Sequence, residues 1–322
     1  MSPRRERRPR AHRVSSAAPA SARPVAGVLL VVAAVSCFSA MDTVIRQLGA
    51  AVPLLVLLAA RYGVQALMMT GWIPLHREAG FATAHPRFQV ARGLLLLGSS
   101  GLGFMGLRYL PVAEFTSIGL LTPVIVTLLA ATVLRERVSA LRWALVAGAF
   151  AGALIVVRPG SGAIGWAALF PLGSAVCYAS FQVLTARLAG LENPYTTHFW
   201  TGFVGTAVVV PLALVTLGDA LPALPAQVTA LQWASLVVIG LLGSSGHLML
   251  IHAFGLARAS TLMPFMYTQI GSAALAGWLA FGHVPDAWAW AGMAVIAACG
   301  AASAWLNIQR TTPPAAVDAA VE

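Results

Sequence analysis

Ten apolar runs follow one another along this chain, and each is close to the length that a helix needs to cross a membrane. A transmembrane α-helix requires about 20 predominantly apolar residues, because it rises only about 1.5 Å per residue. The runs cover approximately Val25 to Ile45, Val52 to Ile73, Phe88 to Leu107, Val112 to Leu134, Leu141 to Val157, Gly165 to Leu184, Tyr195 to Leu217, Leu231 to His252, Ser260 to Phe281 and Ala287 to Leu306. A segment in lipid must satisfy its own backbone hydrogen bonds, so these runs predict an all-α membrane protein of ten transmembrane helices.

The composition is typical of a chain surrounded by lipid. Of the 322 residues, 59% are hydrophobic and only 9% are charged. Soluble domains carry about 25% charged residues, so we exclude a soluble enzyme, a nucleic-acid-binding domain and a disordered chain. Cys37, Cys177 and Cys299 lie in separate apolar runs without CxxC spacing, which indicates neither a disulfide framework nor a zinc site. We expect no metal, no cofactor and no nucleic-acid partner.

The arginines predict how the chain is oriented in the membrane. All 20 basic residues are arginine, and seven of them precede residue 24. Basic loops are retained on the cytoplasmic side, so we place the N-terminus there. With ten spans, the same side then receives nine further arginines, namely Arg77, Arg87, Arg92, Arg135, Arg137, Arg142, Arg187, Arg258 and Arg310. The chain is therefore predicted to be a multi-pass protein of the bacterial inner membrane with both termini in the cytoplasm.

Short matches relate the two halves of the chain. LLGSSG occurs at 96–101 and again at 241–246, CFS at 37–39 corresponds to CYA at 177–179, and Pro53 corresponds to Pro194. Several matches in the same order favour an internal repeat over chance similarity of apolar sequence, which remains the alternative. Five helices per repeat force the second copy to enter the membrane inverted, as in secondary transporters. The predicted divisions are a basic disordered cytoplasmic tail (1–24), a first repeat (25–158), a second repeat (159–308) and a cytoplasmic tail (309–322).

Motifs in both halves carry a resemblance to a known family. The first half contains RYLPVAE at 108–114, LTP at 121–123 and RERV at 135–138, and the second contains YTQ at 267–269 and FGHVPD at 281–286. With these motifs the chain, from about residue 25 to residue 306, resembles the drug/metabolite transporter superfamily, in particular its EamA-like ten-helix branch. His283 stands where that family usually has an acidic residue, so the helix-end carboxylate of the second half is missing.

The resemblance implies a secondary transporter of a small organic solute. Members mostly export amino acids, other metabolites or toxic compounds, and some import vitamins or nucleoside-like cofactors. We therefore expect export of a small organic solute, namely an amino acid, a related metabolite or a toxic compound, from the bacterial cytoplasm, with import of a vitamin or nucleoside-like cofactor as the alternative. The expected partners are the small-molecule substrate, the lipid bilayer and, as an open alternative, protons that drive transport.

Charged residues inside the apolar runs indicate where the solute binds. A charged side chain at the bilayer centre costs about 2.5 to 3.5 kcal/mol on insertion scales, so each needs a partner or a wet cavity. Asp42 lies in the first run and Arg61 in the second, and an arginine can extend toward a carboxylate at the same depth. We predict that both residues bind a zwitterionic substrate or a proton. The alternative is a structural ion pair that holds two helices together.

Four further residues complete the predicted substrate site. Gln182 corresponds to Asp42 in the repeat, and Tyr178 lies one helical turn before it. His247 follows the second LLGSSG and can titrate near neutral pH, while Tyr267 in the ninth run can stack on an organic substrate. For Gln182 and His247 the alternative is hydrogen bonding or packing between helices.

The sequence lacks the motifs of a membrane-embedded enzyme, which is the alternative of another class. It contains no lysine, so it has neither the lysine of an ATP-binding P-loop nor one for a Schiff base. GxSxG and HExxH are also absent from the sequence. We therefore expect a transporter rather than an enzyme.

Overall fold

The computed structural model describes residues 24–49, 51–75, 80–133, 139–158, 165–188, 191–218, 221–256 and 262–311, which are helical almost throughout. The first half contains α1 (Pro24–Leu48), α2 (Leu54–Trp72), α3 (Pro86–Tyr109), α4 (Val112–Gly119), α5 (Thr122–Val133) and α6 (Ala140–Val157). The second half contains α7 (Leu169–Leu188), α8 (Pro194–Leu217), the short α9 (Leu224–Gln227), α10 (Ala230–Leu256), α11 (Thr268–Phe281) and α12 (Ala287–Thr311). Short 3₁₀ turns cover Ile73–Leu75, Gly165–Ala168, Leu221–Ala223 and Met263–Tyr267.

Several of these helices are long and apolar enough to cross a membrane. Within the described residues there are six such segments, namely Val25–Leu48, Leu54–Leu75, Pro86–Tyr109, Gly165–Thr185, Pro194–Leu217 and Ala230–Ala253. Shorter apolar helices cover Val112–Val126, Trp143–Val157 and Ala287–Ser303. These segments confirm the predicted all-α membrane class, and the count of ten transmembrane helices stays a prediction.

Two of the predicted runs are not continuous α-helices. The fourth run is divided between α4 and α5, where Thr122 Oγ1 donates to the carbonyl oxygen of Gly119 at 2.8 Å. Pro123 has no backbone N–H to bond that carbonyl, so the helix is interrupted and the threonine hydroxyl replaces the missing donor. The described part of the ninth run contains the 3₁₀ turn Met263–Tyr267, which includes Pro264, and is α-helical from Thr268 onward.

The predicted tails lie largely outside the described residues. Residues 1–23 and 312–322 are outside them, as are Arg77, Arg135, Arg137 and Arg258 from the predicted cytoplasmic loops. Helix α12 extends to Thr311, so residues 309–311 continue a helix rather than begin a tail.

The helices close into a ring around a central interior. Going around the ring, α1 packs against α10, α10 against α2, α2 against α8, α8 against α3, α3 against α7, α7 against α4, α4 against α11, and α11 against α1. Helices α6 and α12 pack along each other. In chain order, α1 corresponds to α7, α2 to α8, α3 to α10 and α6 to α12. When each helix is exchanged for its counterpart, the α1–α10 contact becomes the α7–α3 contact, and the α2–α8 and α6–α12 contacts are unchanged.

Glycines allow the close crossings that relate the two halves. A Cβ at Gly202 of α8 would lie 2.8 Å from the backbone nitrogen of Ala66 in α2. In the α6–α12 crossing, a Cβ at Gly152 would lie 2.9 Å from the carbonyl oxygen of Gly292. Small residues let helix backbones approach each other in membrane proteins, where packing replaces the hydrophobic effect as the driving force. These two crossings therefore depend on the absence of side chains.

Candidate functional site

Three charged side chains lie in the interior of the helix ring. Asp42 of α1 is 8% exposed, and Arg61 of α2 and Arg92 of α3 are each 5% exposed. Charges buried in this way are rare in membrane segments and mark substrate or ion pathways. The structure thus brings two predicted site residues together with a third that we had not included.

Arg61 is held by soft and aromatic groups rather than by an anion. Its Nη1 donates to Met41 Sδ at 3.3 Å, and its guanidinium carbon lies 5.5 Å from the ring centre of Tyr62 and 5.8 Å from that of Phe104. Its Nε is buried without a hydrogen-bond partner. A guanidinium in this setting keeps its capacity to bind an anion.

Asp42 and Arg61 are neighbours, as predicted, but they form no salt bridge. The two side chains lie within electrostatic range of each other, and neither takes part in an ion pair of the described structure. Asp42 also makes no side-chain hydrogen bond there. The arrangement differs from the ion pair that would simply hold α1 and α2 together.

Arg92 is fixed in place by the opposite half of the protein. Its Nε donates to Thr185 Oγ1 at 2.6 Å, and its Nη1 donates to Thr201 Oγ1 at 2.8 Å and to the carbonyl oxygen of Thr197 at 2.9 Å. The guanidinium also lies over the ring of Phe181, 4.5 Å from its centre. Groups from α7 and α8 therefore orient an arginine of α3.

The position of Arg92 corrects its assignment to the arginines that orient the chain. We had counted it with those of the cytoplasmic side, whereas the structure buries its side chain between α3, α7 and α8. The available signal was its position inside the third apolar run, which is the same signal that identified Asp42 and Arg61.

Tyr178 and Gln182, two residues of the predicted substrate site, lie near these arginines. They are one turn apart on α7, Gln182 is in hydrogen-bonding contact with Tyr178, and Tyr178 lies within electrostatic range of Arg61 and Arg92. The ring of Tyr178 also stacks on that of Phe181, with 5.6 Å between centres and 14° between planes. The interior thus presents flat aromatic surface beside the two guanidinium groups.

His247 is also placed here, together with a histidine that the sequence analysis missed. The rings of His198 and His247 stack with 5.8 Å between centres, and His247 Nδ1 is 2.9 Å from the carbonyl oxygen of Gly243. Gln65 Nε2 donates to the His198 carbonyl oxygen at 3.0 Å and lies 3.3 Å from His198 Nδ1, while His198 Nε2 is 3.2 Å from Ser244 Oγ. Gln65 and His198 are polar residues inside apolar runs, so both could have been recognised from the sequence as candidate site residues.

The hydrogen bonds define which imidazole nitrogen carries the proton. An amide nitrogen only donates, so Nδ1 of His198 accepts from Gln65 and Nε2 donates to Ser244. A carbonyl only accepts, so Nδ1 of His247 is the donor, and its Nε2 is buried without a partner. Both ring nitrogens of His198 therefore have hydrogen-bond partners, whereas Nε2 of His247 is an acceptor without a donor.

Tyr267 does not join the other five predicted site residues. It ends the 3₁₀ turn before α11, packs in the apolar cluster that contains Met293 and Ile296 of α12, and contacts Gly300. Its hydroxyl is buried without a hydrogen-bond partner. A 3₁₀ turn rotates about 120° per residue instead of the 100° of an α-helix, so the side chains of this turn point in other directions than those of the continuous helix predicted for the ninth run.

One end of the ring is closed by hydrogen bonds to Glu192, in the loop before α8. Its Oε1 accepts from Thr83 Oγ1 at 2.6 Å, from the backbone N–H of Ala84 at 2.8 Å and from that of His85 at 3.1 Å. Burial raises the pKa of this carboxyl, but the hydrogen bonds outweigh it and hold the pKa below its ordinary value. The α2–α3 loop is thereby fastened to the start of α8.

A hydrogen-bonding contact and an ion pair close the other end of the ring. His283 Nε2 is 2.9 Å from Glu114 Oε1, and Arg158 Nη1 is 2.7 Å from Asp286 Oδ2. The backbone N–H of Ala289 donates to Asp286 at 2.8 Å, and this bond, with Arg158 beside it, lowers the pKa of the carboxyl. An acidic residue at position 283 would face Glu114, so the histidine matches its surroundings.

Comparison with known proteins shows which family this chain resembles. The family model described as the EamA-like transporter family matches residues 25–158 and again residues 165–303. A riboflavin transporter of Rhizobium johnstonii is 31% identical, over 85% of this chain and 89% of the relative. A crystal structure of a protein with 18% identity superposes with a TM-score of 0.63, covering 90% of this chain and 99% of the other, and shows that the fold is shared.

Two other relatives are named for other solutes. The pseudopaline exporter CntI of Pseudomonas aeruginosa is 29% identical, over 86% of this chain and 95% of the relative. An S-adenosylmethionine uptake transporter of Rickettsia bellii is 23% identical, over 77% of this chain and 82% of the relative. These relatives are transporters of small solutes, not enzymes, and the chain belongs with them to the EamA-like transporter family of membrane transporters.

Proposed function

We propose that the protein is a secondary transporter whose two halves, 25–158 and 159–308, are inverted five-helix repeats around a central solute site. The exchange symmetry of the helix contacts supports this architecture, since a two-fold axis between the halves produces that pattern. The two family matches divide the chain at the same place. Inverted repeats of this kind hold a site near the bilayer midplane that opens to either side in turn.

We propose a cytoplasmic N-terminus and C-terminus in the bacterial inner membrane. With ten crossings, the loops that carry Thr83 and Glu192 lie on the cytoplasmic side, and the residues paired as Glu114–His283 and Arg158–Asp286 lie on the opposite side. Each of these hydrogen-bonded or ion-paired sets then joins groups at the same membrane face. A contact between groups assigned to opposite faces would have argued against this topology.

Cysteine labelling tests the topology. We expect cysteines at the exposed positions Ala223 and Thr229 to react with a membrane-impermeant maleimide in intact cells, and a cysteine at Ala82 to react only after permeabilisation. The background should lack the native cysteines, Cys37, Cys177 and Cys299, which are only half-buried. Labelling of Ala82→Cys in intact cells contradicts the proposal.

The solute that this site favours is a planar, ring-bearing metabolite of the vitamin or cofactor class. The observation that carries this proposal is the position of Arg61 and Arg92 around the stacked rings of Tyr178 and Phe181. Asp42 lies within electrostatic range of Arg61. Such a surface offers stacking and directional hydrogen bonds to one ligand at once. The riboflavin and S-adenosylmethionine transporters among the relatives carry ring-bearing molecules of this class.

Export of an amino acid or a related metabolite is the second candidate. The relative named as a pseudopaline exporter favours it, since this name records export. In that case Asp42 and the two arginines bind the opposite charges of a zwitterion.

A comparison of metabolites in cells tests both candidates. We would measure flavins and amino acids inside cells and in the medium, for cells that express the wild type and cells that express Asp42→Asn at equal level. A flavin that accumulates inside only with the wild type supports uptake of the vitamin class, and an amino acid enriched outside supports export. Arg187→Gln, at an exposed position of α7, is the control that should behave as the wild type. Wild-type transport by Asp42→Asn contradicts the role of Asp42.

A further inference from the structure

We propose that the transported solute carries a negative charge, and that Arg92 binds its oxyanion through the free edge of the guanidinium. This inference rests on the proposed function, because it takes the interior of the ring to be the solute site.

The charges in the interior do not balance. The acidic residues of the described chain are Asp42, Glu114, Glu192 and Asp286. Three of them are engaged at the two ends of the ring, Glu114 with His283, Glu192 with the α2–α3 loop and Asp286 with Arg158. Asp42 is the one described acidic residue left in the interior, and it lies within electrostatic range of Arg61. If Asp42 is ionised, one positive charge remains without a counterpart, and if it is protonated, two remain.

Among the described residues, no other side chain around the interior supplies the missing negative charge. The ionisable groups near the two arginines are Tyr62, Tyr178, His198 and His247, contributed by α2, α7, α8 and α10. Tyrosine is uncharged at physiological pH, and histidine can only add positive charge. Neither guanidinium forms a salt bridge within the described structure. An uncompensated charge buried in a membrane protein is expensive, so the interior favours an anionic ligand.

The geometry of Arg92 leaves one edge of its guanidinium available. Nε and Nη1 are used by Thr185, Thr197 and Thr201, whereas Nη2 makes no hydrogen bond with the part of the chain that the structure describes. Two hydroxyls and a carbonyl orient the group without neutralising it, since none of them is an anion. Arginine binds carboxylates and phosphates through such pre-oriented donors.

Arg61 and Arg92 act on the same interior space. Tyr178, His198 and His247, from three different helices, each lie within electrostatic range of both guanidinium groups. Arg61 is itself unpaired, with its Nε buried and unbonded. The stacked rings of Tyr178 and Phe181 lie beside Arg92, so a planar ring and an oxyanion of one solute can be bound together. The chemical class is therefore an anionic, ring-bearing metabolite.

Two matched pairs of compounds test the charge. Flavin mononucleotide carries a phosphate that riboflavin lacks, and nicotinate carries a carboxylate where nicotinamide has a neutral amide. We would measure binding of all four to the purified full-length protein in nanodiscs, by flavin fluorescence quenching and by thermal stabilisation. The proposal expects the anionic member of at least one pair to bind about tenfold or more tightly than its neutral counterpart. Preference for the phosphate or for the carboxylate identifies which oxyanion the site takes.

Variants of Arg92 connect the preference to this residue. Arg92→Gln should remove the preference for the anion, and Arg92→Lys should keep part of it, because the charge remains while the planar fork is lost. Arg187→Gln should bind as the wild type. Thermal unfolding without ligand shows whether each variant is folded.

The possible outcomes distinguish the anionic solute, the role of Arg92 and the proposed vitamin transport. Equal or tighter binding of the neutral members overturns the anionic solute and leaves the proposed vitamin transport standing. Nicotinate binding without any flavin binding keeps the anion site and overturns a flavin as the solute. An anion preference that persists in a folded Arg92→Gln variant overturns the role of Arg92, and binding of none of the four compounds overturns the anionic vitamin class altogether.

Discussion

The imidazole of His198 stacks on that of His247, with 5.8 Å between ring centres and 29° between ring planes. The two residues come from α8 and α10 and differ in their partners. His198 is enclosed by Gln65 and Ser244, whereas Nε2 of His247 has no partner. Two positive charges at this spacing in a membrane interior would repel strongly, so this stack can hold at most one additional proton.

We predict that His198→Ala destabilises the protein more than a matched change at the surface. The substitution leaves the buried hydroxyl of Ser244 without its partner, at a cost of about 1 to 3 kcal/mol. It also removes the contact of Gln65 Nε2 with the ring, while the bond of this amide to the backbone carbonyl oxygen of residue 198 remains. His252→Ala, at an exposed histidine of α10, is the control. Thermal unfolding of both variants in detergent checks the prediction, and equal melting temperatures would contradict the account of the His198 network.

We predict that Glu192 stabilises the protein at neutral pH and ceases to do so in acid. The folded-state pKa of this carboxyl lies below its ordinary value of 4.5, so the ionised form is favoured by folding. Its contribution is then fully present above pH 4.5 and is lost as the pH falls through the lower folded-state pKa. Glu192→Gln should melt at a lower temperature than the wild type at pH 7, because hydrogen bonds to a charged acceptor are the stronger ones.

Unfolding measured between pH 7 and pH 3 checks this pH dependence. The difference between the wild type and Glu192→Gln should shrink toward the acidic end of the range. A constant difference would show that the carboxylate charge is not what fastens the α2–α3 loop to α8.

We predict that Gly202→Val weakens the crossing of α2 and α8. The added Cβ would lie 2.8 Å from the backbone nitrogen of Ala66, and backbone atoms cannot move aside as the end of a side chain can. Overpacking of this kind costs about 1 to 3 kcal/mol. Gly271→Ala is the control, since a Cβ there would meet nothing within 4 Å. Yield and melting temperature report the effect, and a Gly202→Val protein as stable as the Gly271→Ala protein would show that this crossing tolerates a side chain.

We predict that His283→Glu destabilises the protein and that Glu114→Gln restores stability to the double variant. The histidine lies 2.9 Å from Glu114, so a carboxylate at that position meets a like charge. Removing one of the two charges should relieve the repulsion, which a double-mutant cycle measures as coupling between the sites. Additive effects of the two substitutions would mean that these side chains do not interact.

Much of the fold was predictable from the sequence, because hydrophobic length is a direct physical requirement of the bilayer. The same reasoning predicted continuous helices at the fourth and ninth runs, where a proline in each alters the backbone locally. Tyr267, which was predicted to lie in a continuous helix, packs among apolar residues and not with the polar residues of the interior. The structure instead has a 3₁₀ turn there.

The interior residues were predictable in part. Asp42 and Arg61 are charged residues in apolar runs, and the structure brings them together as expected. Arg92 is also a charged residue in an apolar run, but we assigned it to the cytoplasmic side by the rule that basic residues mark cytoplasmic loops. Its threonine partners on α7 and α8 are far from it in sequence, and only the packing of the two halves reveals them.

The hydroxyls and the carbonyl that bind Arg92 fix its orientation without neutralising its charge. A salt bridge orients an arginine and neutralises it at the same time, so an incoming ligand must first displace the partner. Here the orientation is fixed while the charge stays available. A solute that reaches this group meets a preorganised donor and loses little free energy to rearrangement of the protein.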